Sequence, residues 1–518
     1  MGAYWQTNFP IDKLEEIKIL EEVKSFNKKF EIEITNIDEI KKFLQENYKF
    51  LKFCLDVLIK KVASKALLEK ILVEYQNTSF LQIEGIEANK ITFYGYNYKY
   101  REQRYRRALK YIIENIVVYG NNNENFKIDR GDLTRLIIFS EELVNISGIL
   151  DSINITNKNL KLVNNCNKSF SECPDIFTIF GISIKVAERL NNNLEHNNFF
   201  RKNSLNIFTS EIEMKCENLF EKIYRVKYKR IEDFFSKYFS IETNTTIEEL
   251  GKFDKKIFIS ILEKMLKVSR EDVIYILKNL TLNNEKYESN IYNPKREERL
   301  YKKIFLEYGE FIYFSPIIGI EALMILKNDL YFNKVPKFIK DKSLEKEITN
   351  LSNEVGTRFE YFIKSILEEY KFKVFLNLKK YKNNEGKIFN LEENGGEVDI
   401  VAFHSEKNLC YFLECKMLNF STDVRHFLDD QEKFFKEKNG YFYKFQKKVE
   451  YFEENNKEIL EFLLKNKINK GLRIKYSLVT FYPNICKEIL EDRIDNKFGI
   501  KHVDCYEFIQ ELKNIFFN

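Results

Sequence analysis

Apolar residues recur at spacings of three and four from Ile37 to Tyr75, with neither Gly nor Pro between them. That spacing predicts helix throughout IDEIKKFLQENYKFLKFCLDVLIKKVASKALLEKILVEY. The aromatic stretch ITFYGYNYKY (91–100) fits strand or loop, and a second helix is expected from Arg101 to Val118, before the Asn-rich break at 121–125. From 127 to 330 the pattern reads as mainly helical, as in IEDFFSKYF, KKIFISILEKMLK and REERLYKKIFLEYGEFIYF. No repeat of fixed period is found. Residues 1–335 are therefore expected to form a mainly α region that could divide into two lobes. The texture changes around NDLYFNKVPKFIKDKS, where Pro336 and several charges suggest a linker over 336–350.

Beyond the linker, helix and strand signals alternate. A helix is expected from Leu344 to Tyr370 and a strand over KFKVFLNLK (371–379), followed by the polar loop YKNNEGKIFNLEENGG. GEVDIVAF (396–403) and NLCYFLECKML (408–418) read as two strands of a hairpin joined by HSEK. A helical stretch from Asp429 to Leu464, broken near Asn439–Gly440, precedes the strand RIKYSLVTF (473–481) and a closing strand and helix. Residues 351–518 thus read as an α/β domain, a mixed sheet flanked by helices with an αβββαβ core, preceded by the helical region.

Composition narrows the class without naming a task. The 518 residues are 44% hydrophobic and 31% charged, which suits two or three globular domains. No run approaches the ~20 apolar residues of a membrane span. The N-terminal MGAYWQTNFPIDKLEE lacks a secretory pattern, so no membrane association and a cytoplasmic location are expected. Eight cysteines without a C-x-x-C pair argue against a disulfide scaffold. The spacing of Cys166, Cys173, His196 and Cys216 matches no compact zinc module. The net charge of +5 falls wholly in residues 1–350 and is too small to mark a nucleic-acid binder.

The hairpin carries the candidate chemistry. Side chains alternate along a strand, so Phe412, Glu414 and Lys416 share one face, with Leu413 and Cys415 on the other. Apolar neighbours on both sides imply a buried strand, where a carboxylate and an ammonium need each other, a metal or a substrate. Glu397 and Asp399 share a face of the adjacent strand. If the strands pair, Asp399 and Glu414 can converge on one cation, and such oxygens with waters suit Mg²⁺ or Mn²⁺.

In these residues the chain resembles the PD-(D/E)xK nuclease superfamily. The resemblance rests on Glu414-Cys415-Lys416, on GGEVDIVAF with Asp399, on the G-x-x-F-E pattern in NEVGTRFEYFIKSIL, and on the αβββαβ order. It covers roughly 350–515. The resemblance implies a restriction-endonuclease-like fold in which Glu360, Asp399 and Glu414 hold the metal, with the Cys415 carbonyl as a further ligand. Glu354 is the substitute for Glu360. Lys416 would orient or activate the attacking water, as base or as electrostatic clamp. Val398 stands where the family's Pro precedes the Asp. Gln446 and Tyr451 are spaced one residue too far for the Q-x-x-x-Y motif of one branch.

YGYNYKYREQRYRRALKY (94–111) mixes Tyr with Arg101, Arg104, Arg106, Arg107 and Lys110, a mixture suited to phosphates and bases. On a helix these charges cannot all touch one backbone, so a solvated helix face is the competing reading. His404 is expected at the hairpin turn beside the site and His426 just past the Glu414 strand. No P-loop is present. The expectation is a Mg²⁺-dependent endonuclease, DNA being favoured, of the kind found in restriction or anti-phage defence. Residues 1–335 would sense substrate or partner, and a homodimer would permit double-strand cutting. A non-catalytic nucleic-acid-binding or scaffold subunit, or an RNA-cleaving nuclease, is the alternative.

Overall fold

The computed structural model describes residues 12–29, 33–83, 92–93, 96–119, 128–156, 162–163, 194–237, 250–284, 299–382, 388–390, 396–419, 424–465, 471–484, 486–491 and 495–517. The Asn-rich breaks, Cys166 and Cys173 lie outside these residues, as do the side chains of Arg101, Arg104, His196 and His426. The described chain is mostly helical with two small mixed sheets. No described helix is long and apolar enough to cross a membrane.

The helix expected over 37–75 is two helices, Ile37–Val62 and Lys65–Ile83. Asn36 caps the first, its side chain accepting from Asp38 and Glu39. The break falls at Ala63–Ser64 because the Ser64 hydroxyl accepts from the Leu67 N–H and starts a new helix. Helices Tyr98–Tyr119 and Arg130–Thr156 pack on these two, burying a continuous apolar layer. In the 91–100 stretch, Thr92–Phe93 pairs with Tyr96–Asn97 as a minimal hairpin.

The helical reading of 127–330 gives way to short strands, most fully between 304 and 314. KKIFLEYGEFIYF does not continue a helix; Phe305–Tyr308 and Phe311–Phe314 form an antiparallel hairpin around Gly309, whose φ is +61°. Gly reaches that left-handed turn without a Cβ clash. With Gly251–Asp254 and Thr281–Leu282 these strands make the four-stranded sheet. Pro316 opens the next helix, Pro316–Tyr331, and Ser315 caps it.

The segment expected as a linker is helical from Lys342. The helix Lys342–Glu369 (α1) is capped by Asp341 and buries Ile348, Leu351, Val355, Phe359 and Ile363. Those residues join one apolar layer with Phe220, Tyr224 and Leu330 from the preceding region. The boundary at 335 is thus packed through, because α1 is apolar on a face that neighbouring helices must cover.

After α1 come Lys373–Leu378 (β1), Val398–His404 (β2), Leu409–Lys416 (β3), Val424–Phe435 (α2), Tyr441–Leu464 (α3), Arg473–Thr480 (β4), Lys501–Asp504 (β5) and Cys505–Phe517 (α4). The strand order is β5-β4-β3-β2-β1, antiparallel across β1, β2 and β3 and parallel across β3, β4 and β5. Ile400, Ala402, Tyr411, Leu413 and Cys415 pack in the layer of α1, and Val401, Cys410 and Phe412 in the layer of α3. Burial on both faces explains why β2 and β3 read as unbroken apolar runs. The loop after β1 adds a missed pair of short strands, Lys380–Lys382 and Ile388–Asn390.

Candidate active site

In the β2–β3 hairpin Ile400 pairs with Leu413, which sets Asp399 and Glu414 at the open end. The alternation slips there. Val398 and Val401 lie in the same layer although three residues apart, and beside them on β1 Asn377 has a φ of +53°. The local twist turns Asp399 toward β3, so that its Oδ2 accepts the Cys415 N–H at 2.7 Å. Lys416 Nζ lies 3.4 Å from that oxygen and 2.8 Å from Glu414 Oε1. Both carboxylates therefore meet on one ammonium. Asp399 and Glu414 are each only 5% exposed.

Glu360 approaches from the other side of the sheet, on α1, with no hydrogen bond or ion pair to the other three among the described residues. Its coupling to them is electrostatic. Burial, reinforced by the nearby charge of Asp399, pushes its carboxyl up to about 7. Burial also raises Asp399, with Lys416 pulling down against it and Glu414 pushing up. Glu414 is held below the usual carboxyl range, because Lys416 and Lys448 outweigh its burial. Lys416 is held above the usual lysine value, the charges of Glu414 and Asp399 outweighing burial. In this arrangement it is an ammonium. Glu354, the substitute for Glu360, is committed elsewhere, paired to Lys215 at 2.7 Å.

Sequence reasoning missed two neighbours. Lys448 of α3 donates to Glu414 Oε2 at 2.7 Å and to the Glu397 carbonyl at 2.5 Å. The Tyr441 ring lies 5.6 Å from Lys416 Nζ. Lys448 had a signal: it falls within the buried stripe Phe442, Phe445, Val449 and Phe452, where an apolar residue is expected. Tyr451 belongs elsewhere, its hydroxyl accepting from the Asn390 N–H at 3.3 Å.

His404 is not beside the site. The turn it precedes lies at the closed end of the hairpin, five residues or about 16 Å along the strand from Asp399. Its Nδ1 accepts the Lys407 N–H and its ring packs on Phe372 and Phe516. His502 is buried, which pushes it down to about 3, and contacts Thr480 Oγ1 at 3.1 Å. In the basic stretch, Lys110 is not free for phosphate. It pairs with Glu321 at 2.9 Å, beside Arg106 and the Tyr75 hydroxyl that bind the same carboxylate. Arg107 is exposed.

No group of three His, Cys, Asp or Glu side chains among the described residues is arranged to hold a metal ion. What the residues fit is a more open site. Asp399 and Glu414 supply hard oxygen donors from adjacent strands, and Mg²⁺ is commonly held by one or two carboxylates with water completing its shell. In an extended strand the N–H and C=O of one residue face the same edge, so the Cys415 carbonyl also faces Asp399. Comparison with family models, curated proteins and solved structures returns no match.

Glu360 offers a test of the electrostatics without any substrate. A carboxyl whose folded value lies near 7, against an ordinary 4.5, favours the fold while protonated. That contribution is complete below about pH 4.5 and is lost as pH rises through 7. In EDTA, Glu360→Gln is expected to stabilise the protein by about 1–2 kcal/mol at pH 8 and by almost nothing at pH 5, after discounting for partial exposure. Thermal melts at the two pH values measure it. An equal effect at both would mean Glu360 carries no unfavourable charge.

Proposed function

We propose that the protein is a Mg²⁺- or Mn²⁺-dependent endonuclease of the PD-(D/E)xK type acting on DNA, with its active site at the open end of the β2–β3 hairpin. The observation that carries this reading is the meeting of Asp399 and Glu414 on the Lys416 ammonium. Asp399 and Glu414 would hold the metal, assisted by the Cys415 carbonyl and by Glu360 from α1. A bound dication supplies Lewis acidity toward water and phosphate, which uncatalysed phosphodiester hydrolysis lacks. Lys416 contributes a fixed positive charge where negative charge builds on the phosphate, a role its raised proton affinity supports. The buried Leu413, Cys415 and Phe412 around these groups keep the local dielectric low, which strengthens each such interaction.

The second reading, a non-catalytic nucleic-acid-binding or scaffold subunit, is favoured by a different observation. Both Glu414 oxygens are taken by lysines, an arrangement that satisfies a buried carboxylate without metal. One experiment separates the two readings. Plasmid, linear DNA and RNA are incubated with wild type and Asp399→Ala in Mg²⁺, Mn²⁺ or EDTA. Cleavage of DNA that needs the dication and falls by at least about 10³ in the variant is expected. Nucleic acid left intact under every condition would favour the scaffold, and equal cutting by both proteins would remove Asp399 from the chemistry. Cleavage confined to RNA would change the substrate and leave the site.

A further inference from the structure

We propose that Lys448 is a positioning residue that sets the separation of the strands bearing Asp399 and Glu414, and with it the geometry offered to a divalent cation. The inference rests on the nuclease reading above.

The backbone ladder between β2 and β3 ends at Ile400 and Leu413, one pair short of Asp399 and Glu414. Past that point the strands are joined by side chains. Cys415 N–H reaches Asp399, and Lys416 bridges the two carboxylates. Lys448 adds a link to the backbone of the β2 side. Its Nζ takes the Glu397 carbonyl, two residues before Asp399, together with the outer oxygen of Glu414. One ammonium from α3 thus spans both strands at their open end.

Its placement argues against a chance surface pair. The side chain is 5% exposed and sits in the apolar face of α3, between Phe445 and Phe452. Helix packing alone asks for Leu or Met there. A buried ion pair rarely stabilises a fold more than well-packed apolar residues would. The charge is explained by what it holds. Gly396, just before β2, faces the Lys448 stem: a Cβ added there would sit 3.6 Å from Cε, in ordinary van der Waals contact. With so little exposure Lys448 does not meet substrate and acts through Glu414 and the β2 backbone.

Metal preference exposes this role. Mg²⁺ demands near-ideal octahedral geometry at short distances, whereas Mn²⁺ tolerates a looser oxygen set. Removing an ammonium also removes repulsion, but that affects two ions of equal charge equally. The ratio of their affinities therefore reports geometry alone. Mn²⁺ binding is followed by the electron paramagnetic resonance of the free ion, and Mg²⁺ by competition, on the full chain without DNA. Lys448→Met is expected to raise the preference for Mn²⁺ over Mg²⁺ by at least about fivefold, and Lys448→Gln, which keeps one hydrogen bond, in the same direction. If Lys448→Met does not fold by circular dichroism, the Gln variant decides. A ratio within twofold of wild type in the folded variant overturns the proposal while leaving a metal-binding, DNA-cutting wild type intact. A wild type that binds neither ion overturns this proposal and the nuclease reading together.

Discussion

Replacing Lys416 by Met is expected to slow metal-dependent cleavage about a thousandfold while enlarging the stabilisation that Mn²⁺ gives the protein. The two effects have opposite signs because one ammonium serves both states. Without metal, Lys416 neutralises Asp399 and Glu414 together, at 3.4 and 2.8 Å. Each such contact has a gross Coulomb energy of a few kcal/mol at a partly buried site. Lys416 is 24% exposed and Lys448 still neutralises Glu414 in the variant, so the net loss of stability should be about 1–3 kcal/mol. A dication entering the variant meets two under-compensated carboxylates and no competing ammonium. The melting temperature should therefore rise more with millimolar Mn²⁺ than in wild type. Turnover moves the other way, since the positive charge facing the phosphate is gone. Single-turnover cleavage and thermal melts with and without Mn²⁺ measure the pair. A variant that cuts within tenfold of wild type would take Lys416 out of the reaction. A smaller Mn²⁺ shift than wild type's would mean that ion and ammonium do not compete for the same oxygens.

The hairpin was the legible part of this chain. Ile400, Val401, Phe412 and Leu413 are buried on both faces, so two short apolar runs separated by four polar residues could hardly be anything but paired strands. Once paired, strand register brings Asp399 opposite Glu414, and side-chain alternation puts Lys416 beside them. Pattern alone could not show the twist at Asn377 and Val398 that aims Asp399 at the Cys415 N–H. That twist depends on which layer Val398 joins, a tertiary choice.

The misreadings have similar causes. In KKIFLEYGEFIYF, the apolar residues Ile304, Phe305, Tyr308, Phe311 and Ile312 satisfy helical spacing, while the short apolar runs Ile304–Leu306 and Phe311–Phe314 equally fit buried strands. Gly309, at the centre of the hairpin turn, was the deciding residue. The density of charge from Arg101 to Lys110 fits a phosphate surface or a solvated helix face, and says nothing of what Lys110 itself pairs with. Its partner, Glu321, is 211 residues away and enters only through packing of the helices 98–119 and 316–331. Lys448 was hidden for the opposite reason, as one lysine in a lysine-rich helix whose meaning lies in the face it occupies.

A fragment of residues 336–518, cut at the change of sequence texture, is expected to fail to form a native domain. The helix α1 packs against the helices 194–207, 210–224 and 316–331 as well as against the sheet. Phe200 lies 5.5 Å from both Phe481 and Tyr482, and Phe199 5.5 Å from Tyr506, ring centre to ring centre. Around this apolar contact run the ion pairs Lys215–Glu354, Lys222–Glu347 and Arg358–Glu211, all at least partly exposed and worth little singly. The apolar term decides the outcome. Each large side chain returned to water costs about 1.5–3 kcal/mol, and a domain's whole stability is about 5–15 kcal/mol. Exposing the outer face of α1 together with Phe481, Tyr482 and Tyr506 therefore removes a quantity comparable to the entire margin. The purified fragment should show helical far-ultraviolet dichroism without near-ultraviolet tyrosine signal, bind a hydrophobic dye, and melt without a cooperative transition. It should also lack nuclease activity, because Glu360 is carried on α1 and keeps its place through the same packing. A fragment that melts cooperatively near the full chain's temperature would mean that α1 and the sheet are sufficient alone. The helices 194–237 and 316–331 would then cover the domain without holding it together.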